Sequence, residues 1–487
     1  MRKSYSIQRR FDCLPIVQVA LNFECRDEIV PLLASLQHLY SQKDLRDQVI
    51  QLIAADVNQT TRTDIGREGL SYWQILVLGV VRLGCNLNYD KLQDLCENHL
   101  SLREILNVGV WDRISFDWRR IRDTLYLVQP ATLEKINAII VSYGQDLHGA
   151  ARQQVRADSF VVETNIHYPT ESNLIWDGIR KLLPVSRKLG ARLNQEGWRQ
   201  TSHQLKKTKR QVREIARLSA SDSPKVKAEI YPAYGVLLTF VGALLDRVRT
   251  LKKAAEVATL SKSQQQWLDQ INRWYEPTSR VVDTAFRRTQ LQETVPNEDK
   301  IFSIFETHTQ LYRRGKAGEL NQFGRLVMIY EDAAGFISHY YLMGRQELDS
   351  DVAVEQTKIA QSKHGGEIQG ASFDRGYFST ENQLELKAIV DNPCLPPRHR
   401  NQYAKWLADA STTLLESRQR HSGIESAIGA FQSGNGMKRC RDRSEEGLQR
   451  YLGLAVLGRN FHVLGKLLIT QAHAKSEAAR SKRKKAG

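Results

Sequence analysis

The chain has 487 residues, of which 41% are hydrophobic, so it has material for more than one buried core and is not a disordered chain. Lys and Arg number 70 against 54 Asp and Glu, a net charge of +16, which favours a polyanionic partner: nucleic acid first, an anionic membrane second. No run of 18 apolar residues occurs, residues 1–15 lack the features of a secretory signal, and the six cysteines form no CxxC pair. We therefore expect a cytoplasmic protein with free thiols and no membrane association.

The first third of the chain is predicted to be helical. Apolar residues recur at helical spacing from about 27 to 150, as in Glu28–Tyr40 and Tyr72–Gly84. Residues 88–108 predict two short helices joined by a tight turn, with Ser101 as the N-cap of the second and Glu104 completing a capping box. Such pairs occur both as DNA-binding helix-turn-helix motifs and as ordinary helical hairpins. We predict a helical, DNA-binding N-terminal region over residues 1–150.

A short β-rich stretch, Gln153–Thr164, follows and contains Asp158; with the residues up to 170 it predicts the first strand of a catalytic core. Residues 171–295 then predict a basic helical insertion. Between Arg180 and Lys253 this insertion has 18 Lys or Arg and five acidic residues, a net of +13. A charge run is usually a solvated helix face, but its concentration in one segment favours a phosphate-contacting surface. The candidate DNA contacts are Lys206, Lys207, Lys209, Arg210 and Arg213.

Strands are predicted again after about residue 300. The remaining elements are, in order, a hairpin of Gln322–Asp332 with Gly335–Met343, a helix over Val352–Lys363, a strand over Glu367–Phe373, a helix from Thr380 and a strand over Ala388–Pro393. Residues 403–471 read as helix, and 471–487 as a basic, disordered tail. Without the insertion, residues 151–170 and 296–470 predict an α/β core: a mixed five-stranded sheet with flanking helices, which is compatible with an RNase H-like fold.

Three carboxylates stand where a metal-dependent phosphodiester reaction needs them. Asp158 lies on a predicted strand, Asp374 at the end of another, before Gly376, and Glu425 on a predicted helix. Cutting and rejoining DNA is an in-line displacement at phosphorus, in which two divalent ions roughly 3.5–4 Å apart hold the attacking and leaving oxygens. Mg²⁺ and Mn²⁺ prefer carboxylate oxygens on rigid elements. With 54 acidic residues in the chain, however, spacing alone does not select these three.

The segments around the carboxylates make the selection. Residues 155–172 (VRADSFVVETNIHYPTES) resemble the first catalytic block of bacterial insertion-sequence transposases with a DDE triad, in particular the ISNCY type. Residues 304–332 resemble the block that precedes the second aspartate, SFDRGYFS (372–379) the second-aspartate block, and residues 423–465 the glutamate block. The four blocks occur in the family's order, from about 155 to 466. Residues 70–110 also resemble the family's helical N-terminal region, less specifically.

The resemblance implies a function and assigns residues to it. It matches Asp158 to the first aspartate, Asp374 to the second and Glu425 to the glutamate, as catalytic residues and ligands of Mg²⁺ or Mn²⁺, with two ions expected. It further implies an RNase H-like core, terminal inverted repeats and target DNA as partners, and a homodimer that pairs two DNA ends. A bacterial, nucleoid-associated cytoplasmic location follows from the same resemblance.

The sequence departs from the family beside the glutamate. Related transposases often carry Arg four residues before it and Lys seven after, where this chain has His421 and Gln432. The phosphate contacts of that helix are then expected from other residues, with Arg418, Lys438 and Arg439 as candidates. Two further candidate DNA contacts are Lys316 and Arg375, for which a solvated loop lysine and a carboxylate partner are the ordinary alternatives.

Other interpretations remain open on the sequence alone. Glu163, His167 and Glu171, close to Asp158, form an alternative metal cluster, although a structural role is preferred for His167 because zinc wants more nitrogen or sulfur ligands. The chain can also be a structure-specific nuclease on the same fold, which cleaves without strand transfer, or a transposase-derived DNA-binding protein without catalysis. A more general interpretation is a basic scaffold protein that binds RNA. It does not explain why the sequence segments around the three carboxylates occur in this order.

Overall fold

The computed structural model describes residues 13–60, 69–109, 112, 116–313 and 320–486. Packing divides the chain into two units: the first joins residues 1–163 with 325–487, and the second is residues 164–324. Each unit has its own hydrophobic core. The first contains the three predicted catalytic carboxylates, and the second contains most of the basic segment.

The helices before the first strand form much of the core of the first unit. Among the described residues they are α1 (Ile29–Ser41), α2 (Lys43–Thr60), α3 (Tyr72–Gly84), α4 (Tyr89–Asn98), α5 (Leu100–Ile105), α6 (Trp118–Leu125) and α7 (Pro130–His148). Helix α3 begins with a capping box formed by Ser71 and Gln74, and its apolar residues are buried. The predicted helix pair in residues 88–108 is confirmed as α4 and α5. Ser101 as the N-cap of the second helix is wrong: only His99 separates α4 from α5, and its ring accepts from the Leu102 amide instead.

The chain is a mixed α/β protein built on one mixed sheet. Its strands are β1 (Gln154–Thr164), β2 (Gln310–Tyr312), β3 (Gln322–Asp332), β4 (Ile337–Leu342), β5 (Gly370–Ser372), β6 (Asn392–Cys394) and β7 (Arg439–Cys440). They follow the order β2-β3-β1-β5-β6, with β4 beside β3 and β7 beside β1. Strands β1, β5 and β6 pair in parallel, whereas β3 pairs antiparallel with β2 and with β4.

The described part of the sheet therefore has seven strands and not the five predicted. The two additional strands, β2 and β7, are three and two residues long, too short to show an alternating pattern in the sequence. The predicted hairpin of β3 and β4 is confirmed. The strand predicted over Ala388–Pro393 forms slightly later, as β6, because Ala388 still caps the preceding helix.

The second unit is mainly helical. Its helices are α8 (Glu171–Arg192), α9 (Thr201–Ser219), α10 (Pro224–Ala228), α11 (Ile230–Glu256) and α12 (Lys262–Thr289). They bury a shared core to which α8, α11 and α12 contribute Leu182, Leu237 and Ile271. Helices α8 and α12 approach closely at Gly178, where an added Cβ would lie 2.0 Å from Thr278 Oγ1. The basic segment is thus carried on a packed helical scaffold and not on an extended arm.

The C-terminal part of the first unit alternates short helices with the last strand. After β4 the helices are α13 (Asp349–Lys363), α14 (Thr380–Lys387), α15 (Arg400–Ala408), α16 (Thr412–His421), α17 (Gly423–Gly434) and α18 (Glu445–Ala486). The helical block predicted over residues 403–471 is interrupted at residues 409–411 and again at Asn435–Ser444. In the second interruption Gly436 adopts a positive φ of 74° and β7 forms.

The basic C-terminal tail, residues 471–487, was expected to be disordered, which is wrong for its backbone up to Ala486. Helix α18 continues through it to Ala486. The physical reason is that the tail is rich in Ala, Lys and Arg, which are strong helix formers, and extends a helix already held by the core of the first unit.

Two helical stretches are long and apolar enough to cross a membrane by length and composition, Pro224–Glu256 and Glu445–Ala479. The sequence analysis did not single them out, because isolated polar residues interrupt both. The first supplies Leu244 and Val248 to the core of the second unit, and the second supplies Leu452 and Phe461 to that of the first.

Candidate active site at the carboxyl ends of the parallel strands

Asp158 and Asp374 lie at the same level of two adjacent parallel strands. Strand β1 pairs with β5 at Gln154–Gly370, Val155–Ala371 and Arg156–Ser372. Each aspartate comes two residues after the last of these pairs, so the two positions correspond at the carboxyl ends of the paired segments. Asp158 is half-buried and Asp374 is exposed. The sheet thus brings two carboxylates 216 residues apart in sequence to one edge.

Helix α17 brings Glu425 to the same region. An added Cβ at Gly423, the first residue of α17, would lie 2.3 Å from Nη1 of Arg156, and Phe431 packs edge-on against Phe160 with ring centroids 6.0 Å apart. Arg156, Asp158 and Phe160 share one face of β1 because side chains alternate along a strand. Helix α17 therefore runs along that face in the direction of β1. Glu425, in its first turn, is exposed on the flank of the helix near the level of Asp158.

The three carboxylates share a region but do not form a closed ligand set. Within the described ranges, no group of three or more His, Cys, Asp or Glu side chains is arranged to hold a metal ion. The oxygen donors suit Mg²⁺ or Mn²⁺, and the corresponding positions of Asp158 and Asp374 suit a pair of ligands on rigid elements. The residues therefore fit a divalent ion at the two aspartates, whereas Glu425 is not gathered with them into a coordination group.

A hydrogen-bonded cluster next to Asp158 was missed by the sequence analysis. The Ser159 amide donates to Asp158 Oδ1 at 2.7 Å, and its hydroxyl donates to Asp349 Oδ1 at 2.5 Å. Burial, followed by the charges of Asp349 and Asp158, raises the pKa of Tyr377 far above its ordinary value. Asp349 is the first residue of α13, and an acidic residue at the start of a helix is common, so the sequence does not distinguish it as a functional residue. Its place beside Asp158 depends on how α13 packs on the sheet.

His421 occupies the position where related transposases often have Arg, and it is buried. Its Nδ1 lies 3.2 Å from the Ser372 hydroxyl, on the strand that leads to Asp374. Burial lowers its pKa to about 4, with a further lowering by Arg418 and an opposing effect of Asp374. A buried, neutral imidazole supports the junction of α16 with β5 and does not offer a positive charge to a phosphate.

The basic residues proposed to replace that Arg differ in their surroundings. Arg439 is exposed but pairs with Glu163, with Nη2 2.9 Å from Oε2. Lys438 is exposed, and Arg418 is half-buried. Lys438 is therefore the candidate whose charge is most accessible to a phosphate.

The candidates on α9 lie on its solvent face. Thr201, Gln204, Thr208, Val212, Ile215 and Leu218 form the buried stripe of this helix. Lys206, Lys209, Arg210 and Arg213 are exposed between these positions. Lys207 is half-buried, with Nζ 4.2 Å from the centre of the Phe240 ring. The helix thus presents a basic surface, and contact with DNA remains a prediction.

The last two candidate DNA contacts have different outcomes. The Arg375 guanidinium lies 4.1 Å from the centre of the Tyr403 ring, so it stacks on an aromatic face. Lys316 lies outside the described residues.

The alternative metal cluster near Asp158 does not assemble in either unit. His167 Nε2 contacts Asp177 Oδ2 at 2.6 Å, and the carboxylate of Glu171 pairs with Arg288, whereas Glu163 pairs with Arg439. Each side chain of the predicted cluster therefore has its own partner. The structural role preferred for His167 agrees with its contact to Asp177.

Comparisons of the chain with protein-family models, with curated proteins and with solved structures found no significant match.

Proposed function

We propose that the protein is a divalent-metal-dependent DNA transposase that cuts and rejoins DNA with Asp158, Asp374 and Glu425. The observation that carries the proposal is the correspondence of Asp158 and Asp374 at the carboxyl ends of β1 and β5. It is supported by Glu425 in the first turn of the helix that runs along β1 and by the resemblance of four ordered sequence blocks to ISNCY-type transposases. Together, these features select three acids out of 54.

An RNase H-like core is the finer part of the proposal. Strand β1 lies between the antiparallel pair β3 and β4 on one side and the parallel strands β5 and β6 on the other. This five-strand path, β4-β3-β1-β5-β6, carries two of the three carboxylates on its parallel part. The short strand β2 pairs with β3 at residues that β4 does not use, and β7 pairs with β1.

The chemistry follows from the position of the carboxylates. Asp158 and Asp374 would hold the divalent ion, with Glu425 as a further oxygen donor; the bound ion supplies the positive charge that orients and polarises the phosphodiester oxygens. Exposure of Asp374 and Glu425 leaves this edge accessible to a DNA backbone. Basic residues on α9 and Lys438 would hold phosphates outside the reacting bond, which positions the strand without reading its sequence. Terminal inverted repeats, target DNA and a homodimer that pairs two ends belong to the same proposal.

Carboxylate-to-amide variants test the assignment. Asp158→Asn, Asp374→Asn and Glu425→Gln should each reduce Mg²⁺- or Mn²⁺-dependent cleavage of the DNA that flanks the coding sequence to below about 1% of the wild-type rate. This loss exceeds the roughly 100-fold cost of changing a group behind a metal ligand. Binding of the same DNA should persist, because the phosphate contacts lie elsewhere.

Asp391→Asn is the matched control. Asp391 is exposed and directly precedes β6, so it lies at the opposite, amino end of the parallel strands. Its variant should cleave like the wild type. Normal cleavage by any of the three active-site variants would contradict the assignment, cleavage without joined products would indicate a nuclease, and binding without cleavage by the wild type would indicate a DNA-binding protein.

A further inference from the structure

A cleft of about 870 Å³ lies within the second unit. It is formed by the end of α8, the loop that leads to α9, the start of α9 and one residue of α11. Gly197 shapes the loop with a positive φ of 93°. The residues that determine the chemistry of the cleft are Arg187, Glu196, Trp198, Arg199, Gln204 and Arg247.

Three guanidinium groups give the cleft a positive charge against one carboxylate, that of Glu196. Arg247 is held in place, since its Nη1 donates to the Gly197 carbonyl at 2.8 Å and its guanidinium lies 6.0 Å from the centre of the Trp198 ring. Arg187 and Arg199 have no ion-pair partner among the residues that the structure describes. Two forked donors are therefore free to bind an oxyanion such as a phosphate.

The second feature of the cleft is a buried side-chain oxygen without a hydrogen-bond partner. Gln204 is only 8% exposed, and its side-chain oxygen has no hydrogen-bond partner. Its backbone is satisfied, because the Gln204 amide donates to Gln200 and its carbonyl accepts from the Thr208 hydroxyl. A buried acceptor without a donor costs roughly 1–3 kcal/mol. Since this side chain lines the cleft, a ligand that brings a donor would remove that cost.

We infer that this cleft binds an unpaired nucleotide, with Arg187 and Arg199 on its phosphate and Gln204 on its base or sugar. A phosphate alone does not complete the site, because a phosphodiester has acceptors only and Gln204 Oε1 needs a donor. A nucleotide supplies both, as an anionic phosphate and as an amino or hydroxyl donor. The base must be unpaired, since a base stacked in a duplex cannot enter a cleft of about 870 Å³ or reach a side chain that is only 8% exposed.

The nucleotide has two sources, a free nucleoside monophosphate or a residue of a single strand. The single-strand source rests on the proposed function, because a transposase exposes unpaired nucleotides when it opens DNA ends. The free-nucleotide source does not rest on it. Binding is measured without metal and in the Asp158→Asn variant. The measurement on the cleft therefore does not depend on whether the catalytic proposal is correct.

Three variants test the cleft: Arg187→Gln, Arg199→Gln and Gln204→Leu. Arg192→Gln is the matched control, because Arg192 is exposed on the same helix as Arg187, carries the same charge and does not line the cleft. The probes are a fluorescein-labelled single-stranded 12-mer, followed by anisotropy over a range of salt concentrations, and adenosine monophosphate, followed by calorimetry. Inorganic phosphate serves as a competitor.

Each cleft variant should lose at least about tenfold in affinity, and Arg192→Gln less than about twofold. The arginine variants should also flatten the salt dependence by about 0.7 in the logarithmic slope for each lost phosphate contact, whereas Gln204→Leu should leave the slope unchanged. Adenosine monophosphate binding with the same variant pattern identifies a free nucleotide, and binding of the 12-mer alone identifies a strand.

Several results would overturn the inference. The first is a loss of affinity in Arg192→Gln equal to that in the cleft variants, which would indicate unspecific electrostatic attraction. The second is wild-type affinity in Gln204→Leu, and the third is complete displacement of the probe by inorganic phosphate at the concentration at which the nucleotide displaces it. The fourth is that neither probe binds. Thermal unfolding of Gln204→Leu guards against a folding defect. Because this change removes an unpaired buried oxygen, the variant should be at least as stable as the wild type.

Discussion

Replacing Arg82 by Met should strongly destabilise the first unit, because it leaves the Asp442 carboxylate buried without a partner. Arg82 lies on α3 and Asp442 in the turn between β7 and α18. Two parallel hydrogen bonds join them, Nη1 to Oδ2 at 3.1 Å and Nη2 to Oδ1 at 2.5 Å. Their side chains are 1% and 2% exposed, and the guanidinium also lies 4.0 Å from the centre of the Tyr89 ring.

The burial of this pair sets the size of the effect. Removing one partner of a buried ion pair costs about 3–5 kcal/mol, because the remaining charge loses its partner and stays out of water. Replacing both by apolar side chains, as in Arg82→Met with Asp442→Leu, removes both charges and should cost at least about 2 kcal/mol less than either single change. Arg122→Met is the control, since the Arg122–Asp123 pair is 35% and 64% exposed and should contribute less than about 1 kcal/mol.

Amide hydrogen exchange of the α3 backbone measures this cost locally. A global unfolding curve is less suitable, because a chain with two compact units need not unfold in one step. The free energy of opening from α3 peptides should fall by the stated amount in the single variants and recover in the double variant. A loss below about 1 kcal/mol in both single variants, or a double variant that loses the sum of the two, would refute the reasoning.

Two further changes follow from the packing and the titration of the first unit. Gly465→Ala places a Cβ 1.8 Å from the Pro31 carbonyl oxygen and should lower the free energy of opening, measured by exchange of α18 amides, by about 3 kcal/mol or more. Gly429→Ala is the control: its Cβ would have no atom within 4 Å, so it should stabilise α17 by about 0.5–1 kcal/mol. Equal effects of the two changes would contradict the close approach of α1 and α18. Burial lowers the pKa of His421 and His339 from 6.5 to about 4. Because the unfolded chain binds these two protons at a higher pH than the folded chain, the free energy of unfolding should decrease as the pH falls from about 6.5 to 4. Amide hydrogen exchange of α16 and β4 peptides over a pH series, corrected for the intrinsic pH dependence of exchange, should show this decrease. His421→Gln should make the decrease shallower in α16; an unchanged slope would show that His421 is not the titrating group.

The features that were predicted correctly from the sequence are those whose sequence pattern extends over neighbouring residues. The stripe of α9 repeats every three or four residues, so its basic face can be read without knowing what covers the opposite face. The hairpin of β3 and β4 is similarly visible, because its strands are long and close in sequence. By contrast, Ser101 as an N-cap and the five-strand count were wrong, because a one-residue helix junction and strands of two or three residues leave no periodic trace.

The sequence by itself determined the mixed α/β class and the basic helical segment, and its resemblance to a family led to the proposal that Asp158, Asp374 and Glu425 are the catalytic carboxylates. Tertiary structure alone decided that Asp158 and Asp374 correspond across β1 and β5, that Asp349 bonds the hydroxyl of Ser159, and that His421 is buried. It also decided that the side-chain oxygen of Gln204 lacks a partner in an arginine-lined cleft. The physical reason is the separation in sequence of the interacting residues. The hydrophobic periodicity of a helix or strand involves residues a few positions apart, whereas the pairing of strands more than 200 residues apart depends on how the whole chain packs.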